Sequence, residues 1–119
     1  MNRLAFAVMT SLLLVSTAVA DGVSGKGTIT FVSSEVTGVF IQIKSASSTL
    51  IKADPDGCGR NYLFMLDKNN PLFTTLYAAI LTAYASGAPT LVKLSGCAGT
   101  GGDTWPLISY VTQGDYQAP

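Results

Sequence analysis

From Asn69 to Val92 the chain carries no charged residue, and this run does most to limit what the chain can fold into. Asn69, Asn70, Pro71, Ser86, Gly87 and Pro89 interrupt it, leaving about 14 helical residues, too few to cross ~30 Å of hydrocarbon. The run therefore reads as an unusually buried helix rather than a membrane span. Asn70 can cap the free amides, and Pro71 is tolerated at the first helical position, where its missing N–H costs nothing. Gly87 is a terminator and Pro89 enforces the stop. Leu72, Leu76, Ala79 and Ala83 fall on one stripe, and Phe73, Tyr77, Ile80 and Tyr84 on the next, giving a wide core-facing surface. The opposite face carries Thr74, Ala78, Leu81, Thr82 and Ala85. A helix open to water usually places Lys or Glu there. Either neighbouring loops cover this face or it packs against a copy of itself. Thr74, Ala78, Leu81 and Ala85 are accordingly the candidate oligomer-interface residues.

The segments on either side alternate as strands do. In Lys26 to Ser33, Ile29 and Phe31 fall on one side and Thr28, Thr30 and Val32 on the other. Ser34 to Gly38 is a turn. In Val39 to Lys44, Val39, Ile41 and Ile43 oppose Phe40, Gln42 and Lys44. Thr49 to Ala53 reads as a short third strand. Asp54-Pro55-Asp56-Gly57 is a turn: Pro55 presets φ and the aspartates can accept bonds from nearby amides. A calcium loop would need further oxygen ligands at regular spacing, and the run breaks into Cys58-Gly59-Arg60 instead. Tyr62 to Leu66 is a dense apolar strand. After the helix, Thr90 to Ser95 is a strand and Ala98 to Thr104 a flexible glycine-rich connection. Trp105 to Thr112 is the last strand, with Pro106 confining it to an edge or a bulge. Gln113 to Pro119 reads as a frayed tail. Strands around one helix, which sits between the third and fourth strand positions, predict a mainly β fold with one helix (α+β). Its closest architecture is a small five-stranded OB-like Greek-key barrel. A small β-sandwich with a helical insertion and an open α+β sheet are the alternatives.

Residues 1–20 have the three parts of a secretory signal. Arg3 is their only charge, an apolar stretch centres on Leu12 to Val15, and Ala18-Val19-Ala20 supplies the small-x-small cleavage pattern. Thr10, Ser11, Ser16 and Thr17 interrupt the stretch too often for a permanent anchor. The mature chain, 21–119, is expected to be one exported domain of bacterial type, periplasmic or secreted. Export changes the meaning of the two cysteines. A pair with none left over reads as a Cys58–Cys97 disulfide, and the surroundings Gly57-Cys58-Gly59 and Gly96-Cys97-Ala98 let two backbones approach. A metal site or redox pair fits poorly with cysteines so far apart in a chain without histidine.

The chain has 7 Lys and Arg against 7 Asp and Glu and no histidine. Near-neutral charge argues against electrostatic affinity for nucleic acid or an anionic membrane as the main role. Without imidazole, a serine nucleophile would need a lysine base, and no S-x-x-K occurs after residue 20. The carboxylates all fall in turns, loop edges or termini. No catalytic, metal or cofactor site is predicted. The aromatic side chains are the remaining candidates. Trp105, beside Asp103, either stacks on a sugar ring while the carboxylate bonds its hydroxyls, or closes one end of the barrel core. Tyr110 and Tyr116 are weaker candidates of the same kind.

Cys58, the helix run Leu76-Tyr77-Ala78-Ala79-Ile80-Leu81-Thr82-Ala83 and the strand Leu91-Val92-Lys93-Leu94 together resemble the receptor-binding B subunits of bacterial A–B toxins with a pentameric B ring, in the subtilase-cytotoxin and pertussis-like branch. The resemblance covers Gly57 to Cys97. It implies an OB-fold, a ring of five with helices lining the pore, glycan recognition on the outer surface, and an exported enzymatic subunit as partner. The family's sugar-contacting residues do not align by motif, so none is carried over. The expected function is an exported, disulfide-stapled, oligomeric binding module for a glycan receptor. The alternative is a periplasmic structural or interaction protein, such as an inhibitor or assembly accessory, with no small-molecule ligand.

Overall fold

The computed structural model describes residues 22–100 and 103–114. The expected export signal, 1–20, and Tyr116 in the tail lie outside the described residues. The chain is mainly β with one helix, in the order β1 Gly22–Val23, β2 Thr28–Ser34, β3 Gly38–Lys44, β4 Phe64–Asp67, α1 Phe73–Ser86, β5 Thr90–Thr100 and β6 Asp103–Gln113. The strands number six rather than five, and the helix lies between the fourth and fifth. The added strand is β1, which the sequence reading did not place. Ser24 separates β1 from β2 and spends its side chain on the ladder: its N–H donates to the Val92 carbonyl at 2.8 Å, and its Oγ accepts the Val92 N–H at 3.0 Å. Thr49 to Ala53 is not a strand. It makes an isolated bridge, Lys44 with Leu50, and Ala53 turns to the Asn61 carbonyl instead.

The sheet is mixed, in the order β1-β5-β6-β4-β3-β2. β2, β3 and β4 form an antiparallel meander, β4 meets β6 in parallel at Met65 and Leu107, and β6 returns antiparallel to β5. Gly27, just ahead of β2, exchanges backbone hydrogen bonds of 2.9 and 2.7 Å with Thr90 at the start of β5. That bridge brings the β2 side of the sheet order back to β5. Any side chain at Gly27 would collide with the Lys44 carbonyl, since a Cβ there would lie 2.2 Å from it.

The core lies between the sheet and α1. Val39, Ile41 and Ile43 of β3 point inward as their alternation predicts, beside Phe64, Leu66, Val92, Leu94 and Ile108. Leu76, Ile80 and Ala83 of α1 close it. Each fully buried aliphatic side chain contributes roughly 1.5–3 kcal/mol. The buried stripe is narrower than the sequence implies: Leu72 and Tyr84 are exposed, and Tyr77 reaches the sheet's edge, where its hydroxyl meets Ser34 Oγ at 2.7 Å. Asn70 is not the helix cap. Its Oδ1 accepts the Leu72 N–H at 2.8 Å, so Asn70, Pro71 and Leu72 form a turn that leads into α1. Gly87 ends the helix in a left-handed conformation, φ 68°, donating to the Ala83 carbonyl.

The expected glycine-rich connection is a hairpin arm. β5 continues to Thr100, and Ala98, Gly99 and Thr100 pair with Trp105, Thr104 and Asp103. The register shifts between Leu94 and Cys97, opposite Pro106, so Pro106 sits at a bulge in an inner strand rather than at an edge. Gly99 allows the close pairing: its φ is 110°, and a Cβ would lie 2.2 Å from the Asp103 carbonyl. β6 extends through Gln113, into what was expected to be tail.

Candidate ligand cleft

The outer face of the sheet carries a second hydrophobic cluster, made of Phe40, Met65 and Ala98 with Leu63, Trp105 and Leu107 against it. A bulge brings it a further ring. The β2–β3 register shifts between Ile29 and Phe31, so Ile29 pairs with Ile43 and Val32 with Ile41, both inward, while Phe31 pairs with Gln42 and Ser33 with Phe40. One extra residue reverses every following side chain. Phe31, expected on the same side of the strand as Ile29, therefore faces outward and is 42% exposed. Phe31, Ser33, Glu35, Phe40, Leu63 and Trp105 line a cleft of about 150 Å³.

Trp105 forms a wall of this cleft and does not close the main core. Its ring meets Phe40 edge to face, with centroids 5.2 Å apart and planes at 76°. The Arg60 guanidinium lies 5.5 Å from the Trp105 ring centroid, within cation–π range. Asp103 does not line the cleft. Its Oδ1 accepts from Arg60 Nη2 at 2.8 Å, and that hydrogen bond, with the attraction of the charge, raises the Arg60 pKa above its ordinary value. Asp103 thus reaches the indole only through Arg60. The buried Trp105 Nε1 has no hydrogen-bond partner among the described residues. Tyr110 lies elsewhere, with Lys93 Nζ 5.2 Å from its ring centroid.

The disulfide holds Arg60 in place. Cys58 and Cys97 are bonded, with Cα atoms 5.5 Å apart. The Asp54 carboxylate accepts the Cys58 and Gly59 amides at 2.6 and 2.9 Å, so the Asp54 to Gly57 turn is built by the bonding that its composition predicts. Asp56 accepts the Gly96 amide at 2.7 Å across the junction. Thr104 Oγ1 donates to the Cys58 carbonyl, and Gly59 bridges Thr104 in parallel. Loop 54–60 is thereby fastened to the β5–β6 arm, and Arg60 to the ring.

The cleft can take the apolar face of a flat ring against its aromatic walls. Glu35 and Ser33 offer acceptor and donor at the rim; Ser33 Oγ lies 3.4 Å from Glu35 Oε1, too long to commit either. Sequence reading missed Phe31, Ser33, Glu35, Phe40 and Leu63. Phe40 was visible as the outward member of an alternating pair, but nothing in the sequence marks the bulge that turns Phe31 out. Thr74, Ala78, Leu81 and Ala85 all lie on the exposed side of α1, away from the cleft's walls. Among the described residues, no group of three His, Cys, Asp or Glu could hold a metal ion, and no helix is long and apolar enough to cross a membrane. Comparison with family models, curated proteins and solved structures finds no match for this chain.

Proposed function

We propose that this chain is an exported glycan-binding module that uses the cleft between Phe31, Phe40 and Trp105. The carrying observation is that three aromatic side chains and Leu63 meet a carboxylate and a hydroxyl in a hollow the size of a single sugar ring. Aromatic faces take the C–H face of a pyranose, and Glu35 and Ser33 discriminate among its hydroxyls. The disulfide fits an oxidising compartment, as export by residues 1–20 requires.

The architecture is read as an OB-like barrel. With β1 and β2 taken as one strand interrupted at 24–27, the strands number five and the helix falls between the third and fourth. The meander, the parallel β4–β6 contact and the Gly27–Thr90 bridge then follow the Greek-key order of that fold. OB-folds take ligands on the face of strands two and three, here β3 and β4; in support, the cleft draws Phe40 from β3 and Leu63 from just before β4, with Phe31 and Ser33 of β2 and Trp105 of β6 beside them.

The module is further proposed to assemble through α1, as the resemblance to pentameric toxin B subunits implies, with an exported enzymatic subunit as partner. Supporting this, the exposed α1 face is uncharged and carries Leu81 and Tyr84, 41% and 49% exposed. The same face supports the second reading, an interaction protein without a small-molecule ligand. A glycan array with the oxidised protein separates the two. Selective binding that Phe31→Ala abolishes supports the glycan reading; an empty array with correctly folded, disulfide-bonded protein refutes it and leaves the interaction protein.

A further inference from the structure

The outer cluster that floors the aromatic cleft borders a second concavity on its other flank. Two hollows of about 340 and 330 Å³ share Asp67, Asn69 and Leu107, so they form one groove between the β4–α1 turn and β6. The β2–β3 turn divides this groove from the cleft: Glu35 lines the cleft and Thr37, two residues on, lines the groove. Leu107, a member of the outer cluster, lies along its floor.

The groove's polar side chains have bonding capacity left over. Asp67 Oδ1 accepts the Asn69 N–H at 2.9 Å, leaving its second oxygen, and Asn70 commits its Oδ1 to Leu72 and keeps its amide donors. The side chains of Thr37, Asn69 and Ser95 bond to no other described residue. Asp67 and Lys68 bring opposite charges, so the groove favours neither an anion nor a cation. Mixed donors and acceptors over an apolar floor, without net charge, match a polyhydroxylated ligand, whose every hydroxyl both donates and accepts.

We infer that this groove is a second carbohydrate subsite, and that the protein takes an oligosaccharide of at least two residues, one ring in the aromatic cleft and the next units across the Glu35–Gly38 turn in the groove. This rests on the glycan reading of the cleft. The turn itself is held by reciprocal Glu35 and Gly38 backbone bonds of 2.8 and 3.3 Å, so the crossing point is fixed by main chain and leaves the Thr37 side chain available.

The test titrates the oxidised full chain with one monosaccharide found on the array and with the di- and trisaccharides that extend it. The variants are Phe31→Ala and the double variant Thr37→Ala/Asn69→Ala. Both groove residues are exposed, and an unchanged melting temperature verifies the fold; Asn69→Ser serves in place of the alanine if it shifts. Loss of two neutral hydrogen bonds predicts about tenfold weaker oligosaccharide binding, with monosaccharide binding unchanged. Phe31→Ala should weaken both. Equal oligosaccharide binding by wild type and the double variant overturns the groove while the aromatic cleft stands. Equal weakening of mono- and oligosaccharide overturns it too, since the residues would then act on the cleft. No glycan binding by the wild type defeats both readings.

Discussion

Removing the disulfide should lower the melting temperature steeply while leaving the native structure in place. Cys58 and Cys97 are 39 positions apart in sequence, so their bond closes a long loop in the unfolded chain. For a loop of about 40 residues, the lost chain entropy amounts to about 4 kcal/mol at 25 °C. In a domain of about 100 residues this shifts the midpoint by roughly 15–20 °C. The native junction has other fastenings: Asp54 on two amides, Asp56 on Gly96, and Thr104 on the Cys58 carbonyl. The double variant Cys58→Ala/Cys97→Ala should therefore keep the wild-type far-ultraviolet circular dichroism at 20 °C and melt earlier by that amount. Wild type reduced with dithiothreitol should behave alike, which separates the crosslink from the lost sulfur atoms. A drop below about 5 °C in both samples would refute the loop-entropy reasoning. Loss of native structure at 20 °C would refute the claim that these hydrogen bonds can hold the junction without the crosslink.

Gly99→Ala forces a Cβ to within 2.2 Å of the Asp103 carbonyl at a positive φ; it should cost about 1–3 kcal/mol in urea unfolding, with the β5–β6 arm loosened. Asp103→Asn breaks an ion pair whose partners are both exposed, so the melting temperature should not move measurably; a large drop would show that the pair holds the arm. Ala78→Glu/Leu81→Glu places charge on the open α1 face, away from the core. Light scattering should report monomers in place of an oligomer at unchanged melting temperature, and a wild type that is already monomeric refutes assembly through α1.

The elements that were legible in the sequence are those whose side chains carry their own signal. The alternation of Val39, Ile41 and Ile43 fixed which face of β3 is buried. The helix was readable from its uncharged run and the Gly87 stop, and the disulfide from a lone cysteine pair set among glycines. What escaped depended on partners distant in sequence. The bulge before Phe31 exists only in the pairing with β3, so strict alternation put that ring on the side of Ile29. Thr49 to Ala53 has strand composition but little ladder to join. Ala98 to Thr100 look like a loop by composition, yet the bond to Cys58 and the Thr104 contacts hold them as a strand. Trp105 and Asp103 were singled out as a pair for a ligand, but Arg60, the residue that joins them, was invisible because its place depends on the disulfide.

The chain has one tryptophan, Trp105, and it stands in the cleft wall, so its fluorescence reports directly on the site. Titration with an oligosaccharide that the array selects should shift the emission to the blue and saturate, and Phe31→Ala should move the midpoint to higher oligosaccharide concentration. An oligosaccharide that binds while leaving the emission of Trp105 untouched would contradict the placement of the ligand against its ring.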